Sequence, residues 1–191
     1  MSDYKVNCTD PGELQAKIKE AKKTARTTTQ HLGRAYELFE IELGLEEAYY
    51  NIQNYRSKKE CDEYVKEHNL PKDTFSKDNF FSKTSQQHYH KIIYSQVMED
   101  PNTREAYEAE FGDAPGGKEA SQTQNLYLSF DGVLANGNSR SSYWRENNPK
   151  HITSVKYWVF PDGISWEELE NAVLTLDARK DITQRLPWYN I

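Results

Sequence analysis

The chain has 191 residues and a formal net charge of −6, and 28% of its residues are charged. A chain of this size can bury one sizeable hydrophobic core, and its acidic balance argues against a general nucleic-acid coat protein. No apolar run approaches the length of a membrane span, and the polar segment Met1–Lys5 predicts no signal peptide. Cys8 and Cys61 are too few for a disulfide framework or a structural zinc site. We therefore expect a cytoplasmic protein that has no membrane contact.

Helical spacing of apolar residues dominates the first 120 residues. Leu14 and Ile18 share one face of a first helix, which we expect to end at the threonines 27–29 because β-branched residues weaken helices. A second helix with an acidic outer face is predicted over 32–50. Three more helices are predicted, from Ser57 to before Pro71, over 85–99, and from Asn102 to Gly112.

A loop rich in glycine and alanine, residues 113–121, is the candidate boundary of the chain. It divides the sequence into a helical N-terminal region, 1–120, and a second domain, 121–191. The second domain is predicted to contain strands at 124–130, 133–136 and 152–160, and helices at 139–147 and 165–180. This order implies an α+β fold, in which a small mixed sheet carries helices on one face.

The segment from Asp131 to Arg140 has the pattern of an anion-binding site. Asp131-Gly132 is typical of a tight hairpin turn, and a short strand after it leads into Gly137 and a helix. The free backbone N–H groups and the positive end of the helix dipole would face a bound anion. Arg140 would add a planar fork that suits phosphate oxygens, and the alternative for it is a surface salt bridge.

With these features, residues 121–191 resemble the ParB/sulfiredoxin-like superfamily. Members carry a Gly-x-x-Arg turn between a strand and a helix, matched here by Gly137, Asn138, Ser139 and Arg140. The resemblance implies that these four residues contact the phosphates of a bound ATP or CTP with Mg²⁺. It also implies that Arg179, in the segment Asp177–Asp181, returns to the nucleotide site.

The chain departs from the superfamily pattern at two places. Asn138 stands where sulfiredoxins carry cysteine, so sulfinic-acid reduction is not expected. Asn138 and Ser139 also replace the Glu and Arg of chromosome-partition members. An arginine motif near the N-terminus of those members is similar to residues 51–56, Asn-Ile-Gln-Asn-Tyr-Arg, although its prolines are absent here.

Three aspartates are candidate catalytic groups, because a nucleotide site needs carboxylates to hold Mg²⁺ or to activate water. They are Asp131, Asp177 and Asp181. The alternative for Asp131 is a purely structural role in its turn, and for the other two a solvated helix end. Glu168, three residues after Ser165, is expected to be only a helix cap.

Two further groups of residues could bind a ligand but also have simpler explanations. His88 and His90 would point apart on a helix, so we expect no shared metal. The basic stripe 17–26 could contact DNA phosphates or only face solvent.

These observations lead to one main functional hypothesis and two alternatives. The main hypothesis is a ParB-like nucleotide-binding protein of DNA-related metabolism that hydrolyses a nucleotide or transfers its phosphate. The first alternative is a non-catalytic DNA- or protein-binding module, as in plasmid partition, phage or anti-defence factors. The second is a metal-dependent nuclease. The N-terminal helices would serve a protein partner, a homodimer contact or a lid over the site.

Overall fold

The computed structural model describes residues 6, 10–31, 34–114, 118–122, 124–148 and 151–173. Within these ranges, no helix combines the length and apolarity needed to cross a bilayer.

The described residues contain six helices and seven strands. The helices are α1 (Pro11–Glu20), α2 (Lys58–Glu67), α3 (Lys83–Glu99), α4 (Pro101–Ala109), α5 (Asn138–Asn147) and α6 (described over 166–173), with a 3₁₀ turn at Tyr55–Ser57. The strands are β1 (Arg26–His31), β2 (Arg34–Gly44), β3 (Phe111–Ala114), β4 (Lys118–Gln122), β5 (Leu126–Leu128), β6 (Leu134–Asn136) and β7 (Ser154–Val159). The fold is therefore α+β.

Five strands form one mixed sheet in the order β1-β2-β7-β5-β6. The pairs β1–β2, β2–β7 and β5–β6 are antiparallel, whereas β5 and β7 run parallel. β3 and β4 form a separate antiparallel hairpin. The prediction of a boundary loop over 113–121 was wrong, because the described residues of this segment belong mainly to the hairpin. Residues 115–117 lie outside the described residues.

Apolar side chains cover both faces of the sheet. On one face, alternate residues of β5 and β7, such as Leu126 and Tyr157, join the large core with α1, α3 and α5. On the other face, Leu38, Tyr127 and Phe160 pack against α6. The prediction of helices on one face only was therefore wrong, because the residues between the core positions of these strands are also apolar.

The helix predicted over 32–50 was wrong, and β2 occupies most of it. Tyr36, Phe39 and Leu43 fit helical spacing, but apolar and acidic residues also alternate through this segment. Burial alternates as in a strand at Tyr36 and Leu38 and again at Ile41 and Leu43, with a change of face between the two pairs. The segment gains its backbone partners from β1 and β7, which spacing within a single segment does not reveal. The N-terminal region is consequently not mainly helical.

The other N-terminal helices were predicted at nearly their observed positions. α1 buries Leu14 and Ile18 but ends at Glu20, earlier than the threonines that were predicted to end it, which lie in β1. α2 and α3 match their predictions, although the Ser57 side chain makes no cap hydrogen bond. α4 is capped by Asp100, not Asn102, because the Asp100 carboxylate accepts hydrogen bonds from the backbone of residues 102 and 103.

The C-terminal elements confirm the predicted order of strands and helices. The Ser165–Glu168 capping box forms, since Glu168 N donates to Ser165 Oγ (3.3 Å) and Ser165 N donates to Glu168 Oε2 (3.2 Å). The hydrogen bonds that Ser165 N and Ser165 Oγ donate to Oε2 lower the pKa of the Glu168 carboxyl. Leu169 and Val173 of α6 are buried.

The sheet and the large core extend across residue 120. β2 pairs with β7 over six residue pairs, from Phe39–Val159 to Gly44–Ser154. The predicted division into 1–120 and 121–191 is therefore not a division of the sheet or of the core.

Candidate functional site

The Asp131-Gly132 turn forms the predicted hairpin between β5 and β6. Gly132 N donates to Ser129 O (3.1 Å), and Ser129 N donates to Val133 O (2.8 Å). Gly132 alone has a positive φ, +81°, whereas Asp131 does not. The turn therefore has one left-handed residue followed by a bulge, whereas a two-residue Asp-Gly hairpin turn needs two left-handed residues.

Gly137 joins β6 to α5 in the left-handed conformation, with φ +101°. A Cβ atom here would lie 2.5 Å from Cδ2 of Leu126, so backbone shape and packing both favour glycine. No side chain caps the helix at this residue. The first backbone N–H groups of α5 accordingly lack an intrahelical acceptor.

The N-terminus of α5 borders a cavity of about 230 Å³, which we call the α5 cavity. Its lining includes the four residues that were predicted to form an anion site, Gly137, Asn138, Ser139 and Arg140. Residues 54–57 line it too, so the Asn51–Arg56 segment and the Gly-x-x-Arg turn share one cavity. The cavity therefore has two arginines, Arg56 and Arg140, and a helix N-terminus.

Hydrogen bonds hold residues 50 and 51 against the helix start. Asn51 N donates to Oδ1 of Asn138 at 3.1 Å. The buried Gln86 side chain accepts from Tyr50 N (2.8 Å) and donates to Tyr50 O (3.0 Å) and Phe80 O (2.9 Å). Asn138 is therefore a positioning residue as well as a wall of the cavity.

Arg140 is less exposed than a residue at an open helix start. Its side chain is 11% exposed, and Nη1 lies 3.3 Å from the Glu110 carboxylate. The guanidinium also lies 6.0 Å from the centre of the Trp144 ring. Arg140 therefore forms a salt bridge, which was the alternative to an anion site, but this salt bridge is largely buried. Arg140 also lines the cavity. A bound anion would share this cation with Glu110.

Tyr107 also lines the α5 cavity. Burial raises the pKa of its phenol, although the neighbouring Arg140 opposes the shift. The hydroxyl therefore stays protonated and remains a potential hydrogen-bond donor at neutral pH.

The predicted catalytic aspartates do not gather at the α5 cavity. Asp131 is exposed, accepts a hydrogen bond from Gln15 Nε2 (3.1 Å), and lines a neighbouring cavity instead. Asp177, Arg179 and Asp181 lie outside the described residues. Glu170, which the sequence analysis did not single out, lines both cavities. Carboxylates of this kind commonly bind Mg²⁺ together with phosphates.

The two histidines of α3 have separate surroundings, as predicted. Tyr64 Oη lies 3.3 Å from His88 Nδ1, whereas His90 is buried with Nδ1 2.7 Å from Tyr50 Oη. Within the described residues, no group of three or more metal-ligating side chains is present.

His90 should make the stability of the protein depend on pH. Burial, with help from the nearby Arg145 cation, lowers the pKa of its imidazole from 6.5 to about 3. Glu146, 3.1 Å from Nε2, acts in the opposite direction but does not outweigh burial. The unfolded chain then binds a proton between these values that the folded chain does not bind. The stability that the neutral His90 gives the folded protein is complete above pH 6.5, and it declines as the pH falls toward 3.

We expect the free energy of unfolding to drop by about 2 kcal/mol between neutral pH and pH 5 through this histidine. Urea unfolding of the wild type and of His90→Gln at several pH values measures the drop. The variant should show a flatter profile. Parallel profiles would contradict the neutral buried histidine.

Three lysines of the basic stripe contact other parts of the protein. Lys17 forms an ion pair with Glu47, while the ammonium groups of Lys19 and Lys23 lie over the rings of Phe130 (5.5 Å) and Phe39 (4.3 Å). DNA contact through this stripe stays a prediction.

Comparisons with family models, curated proteins and solved structures find no significant match to this chain. The resemblance to the ParB/sulfiredoxin-like superfamily therefore stays a prediction.

Proposed function

We propose that the chain binds a nucleotide with its phosphates in the α5 cavity, and that it hydrolyses the nucleotide or transfers its phosphate in DNA-related metabolism. One observation carries the proposal. The segment Asn51–Arg56 and the turn Gly137–Arg140 are far apart in sequence, yet both line the same cavity. Both are also the segments that resemble superfamily motifs. ATP or CTP with Mg²⁺ is the ligand that the resemblance implies.

The chemistry of the cavity suits phosphate. The N–H groups of α5 and the positive end of its dipole supply fixed donors. Both arginines line the cavity, but the Arg56 side chain is exposed, whereas the Arg140 side chain is largely buried beside Glu110. A phosphate between the two arginines would receive charge-assisted hydrogen bonds from both sides.

Magnesium would complete the charge balance of this site. Glu170 lines the cavity, and a carboxylate close to phosphates is repulsive unless a cation lies between them. Mg²⁺ is commonly held by one or two carboxylates together with substrate phosphates. We therefore expect nucleotide binding to be stronger with Mg²⁺ than without it, and Glu170→Gln to reduce this difference.

Binding without turnover is the second candidate. Of the described residues that line the α5 cavity, Glu170 is the one acidic side chain; Glu110 is paired with Arg140, and Asp131 lines the neighbouring cavity. The described lining of the cavity therefore holds no second carboxylate to activate water. Phosphate release from bound ATP or CTP with Mg²⁺ separates the two candidates, since a binding module would release none.

The variants Arg56→Gln and Arg140→Gln should each weaken nucleotide affinity at least tenfold. Each removes a cation that would be desolvated against phosphate, and a tenfold loss corresponds to about 1.4 kcal/mol. Thermal unfolding with ATP, CTP, GTP and ADP, with and without Mg²⁺, provides the measurement. At 100 times its dissociation constant, a ligand adds about 2.7 kcal/mol to stability.

The matched control is Arg26→Gln, because Arg26 is an exposed arginine in an ion pair on β1. Circular dichroism of the free Arg140 variant is also needed, since that change leaves Glu110 without its partner. Absence of stabilisation by every nucleotide would overturn the proposal. Equal loss in Arg26→Gln would show that the effect is not local to the cavity.

A further inference from the structure

A second cavity of about 630 Å³ adjoins the α5 cavity, and we call it the aromatic cavity. Asn51 and Glu170 line both cavities, so the two are neighbours that share a wall. Ligand pockets commonly have volumes of about 300–1,000 Å³. The aromatic cavity falls within that range without the volume of the α5 cavity.

Exposed aromatic side chains are concentrated around these two cavities. Four large hydrophobic side chains of the described residues are exposed: Tyr55, Phe81, Met98 and Trp166. Tyr55 lines the α5 cavity, whereas Phe81 (41% exposed) and Trp166 (38% exposed) line the aromatic cavity. Aromatic rings left exposed around a concave site indicate a flat, partly apolar ligand.

The rings lie on two separate parts of the chain that the fold holds together. Trp166 is the first residue of α6, directly after the capping residue Ser165. Its ring centroid lies 6.0 Å from that of Phe80, and Phe80 lies 5.1 Å from Phe81. The Gln86 side chain ties the Phe80 carbonyl to Tyr50, next to Asn51. The aromatic rings are therefore positioned relative to the α5 cavity.

Asn51 supplies a buried polar group at the shared wall. The residue is 3% exposed, and its Oδ1 accepts from Gln53 N at 3.1 Å. Its Nδ2 has no hydrogen-bond acceptor within the described part of the chain. This amide group can therefore donate to a ligand atom in either cavity.

We propose that the aromatic cavity binds the base of the nucleotide, with Trp166 and Phe81 in contact with the base face and Asn51 Nδ2 donating to the ligand. This inference rests on the proposed function, because the α5 cavity would hold the phosphates of the same molecule. The aromatic rings favour a base of any type, since every base has a π face. The polar side chains Gln15, Lys77 and Asp131 at the same cavity would discriminate among base edges.

The test compares nucleotides with inorganic tripolyphosphate on the full chain. Trp166→Ala and Phe81→Ala should each weaken binding of the preferred nucleoside triphosphate about tenfold and leave tripolyphosphate affinity unchanged. Arg56→Gln should weaken both ligands. Met98→Ala is the control, because Met98 is also exposed and lines neither cavity. Calorimetric titration gives the affinities, and circular dichroism confirms that each variant is folded.

The outcomes separate the two proposals. Unchanged nucleotide affinity in both aromatic variants would overturn the base site while leaving the phosphate site in place. Equal losses for nucleotide and tripolyphosphate would also overturn it, because the rings would then act only through the fold. Binding of a nucleoside that Trp166→Ala abolishes, without any tripolyphosphate binding, would support the base site and overturn the phosphate site. No binding of any of these ligands to the wild type would overturn both.

Discussion

Replacing Gly137 with alanine is expected to lower the free energy of unfolding by about 2–5 kcal/mol. The φ of +101° is strained for an L-residue, and that strain accounts for about 1–2 kcal/mol of the loss. The added Cβ would also lie 2.5 Å from Leu126 Cδ2, in the centre of the large core. Chemical denaturation measures the change in stability.

Gly163→Ala is the matched control for this prediction. Gly163 also has a positive φ, +79°, but an added Cβ would have no heavy atom within 4 Å. The control should therefore lose about 1–2 kcal/mol from backbone strain alone. The difference between the two variants then reports the contact with Leu126. Equal losses would show that Leu126 moves aside without cost.

The same substitution should affect ligand binding if the α5 cavity holds phosphate. Gly137 sets the direction of the first N–H groups of α5, so movement of the helix start would misalign these donors. We expect Gly137→Ala to weaken nucleotide binding more than Gly163→Ala does, measured where both variants are fully folded.

Replacing Arg145 with methionine is expected to cost about 2–4 kcal/mol of stability. The Arg145 side chain is almost completely buried, and it donates from Nε to Leu45 O (3.0 Å) and from Nη2 to Ala48 O (2.6 Å). Its guanidinium also lies over the Tyr50 ring, 4.5 Å from its centre. Methionine would retain the apolar stem but leave two carbonyls without their donor.

The loop that Arg145 holds is followed directly by a residue of the α5 cavity. Leu45 and Ala48 precede Asn51, which lines both cavities. We therefore expect Arg145→Met to loosen this wall as well as the fold. Arg26→Met is the control on an exposed arginine and should change stability by less than about 0.5 kcal/mol. A loss in Arg145→Met no larger than that would contradict the structural role of the buried guanidinium.

Local chemistry explains which elements were predictable. The Ser165–Glu168 capping box, the glycine turns at residues 132 and 137, and α3 and α5 depend on nearby residues, and each was found as predicted or nearly so. β2 was misassigned because its apolar residues fit both a helix and a strand. Its strand form depends on pairing with β7, more than 100 residues later, which no local pattern encodes.

The sequence by itself determined the turn at Gly137, the start of α5 and the presence of Arg140 beside it, because turn and helix signals act over a few residues. Only the tertiary structure decided what surrounds them. It placed residues 54–57 in the lining of the α5 cavity, paired Glu110 with Arg140, and placed Asp131 in the neighbouring cavity. It also placed Trp166 beside Phe80 and Glu170 between the two cavities. These contacts join residues distant in sequence through burial and sheet pairing, so a single sequence carries no local signal for them.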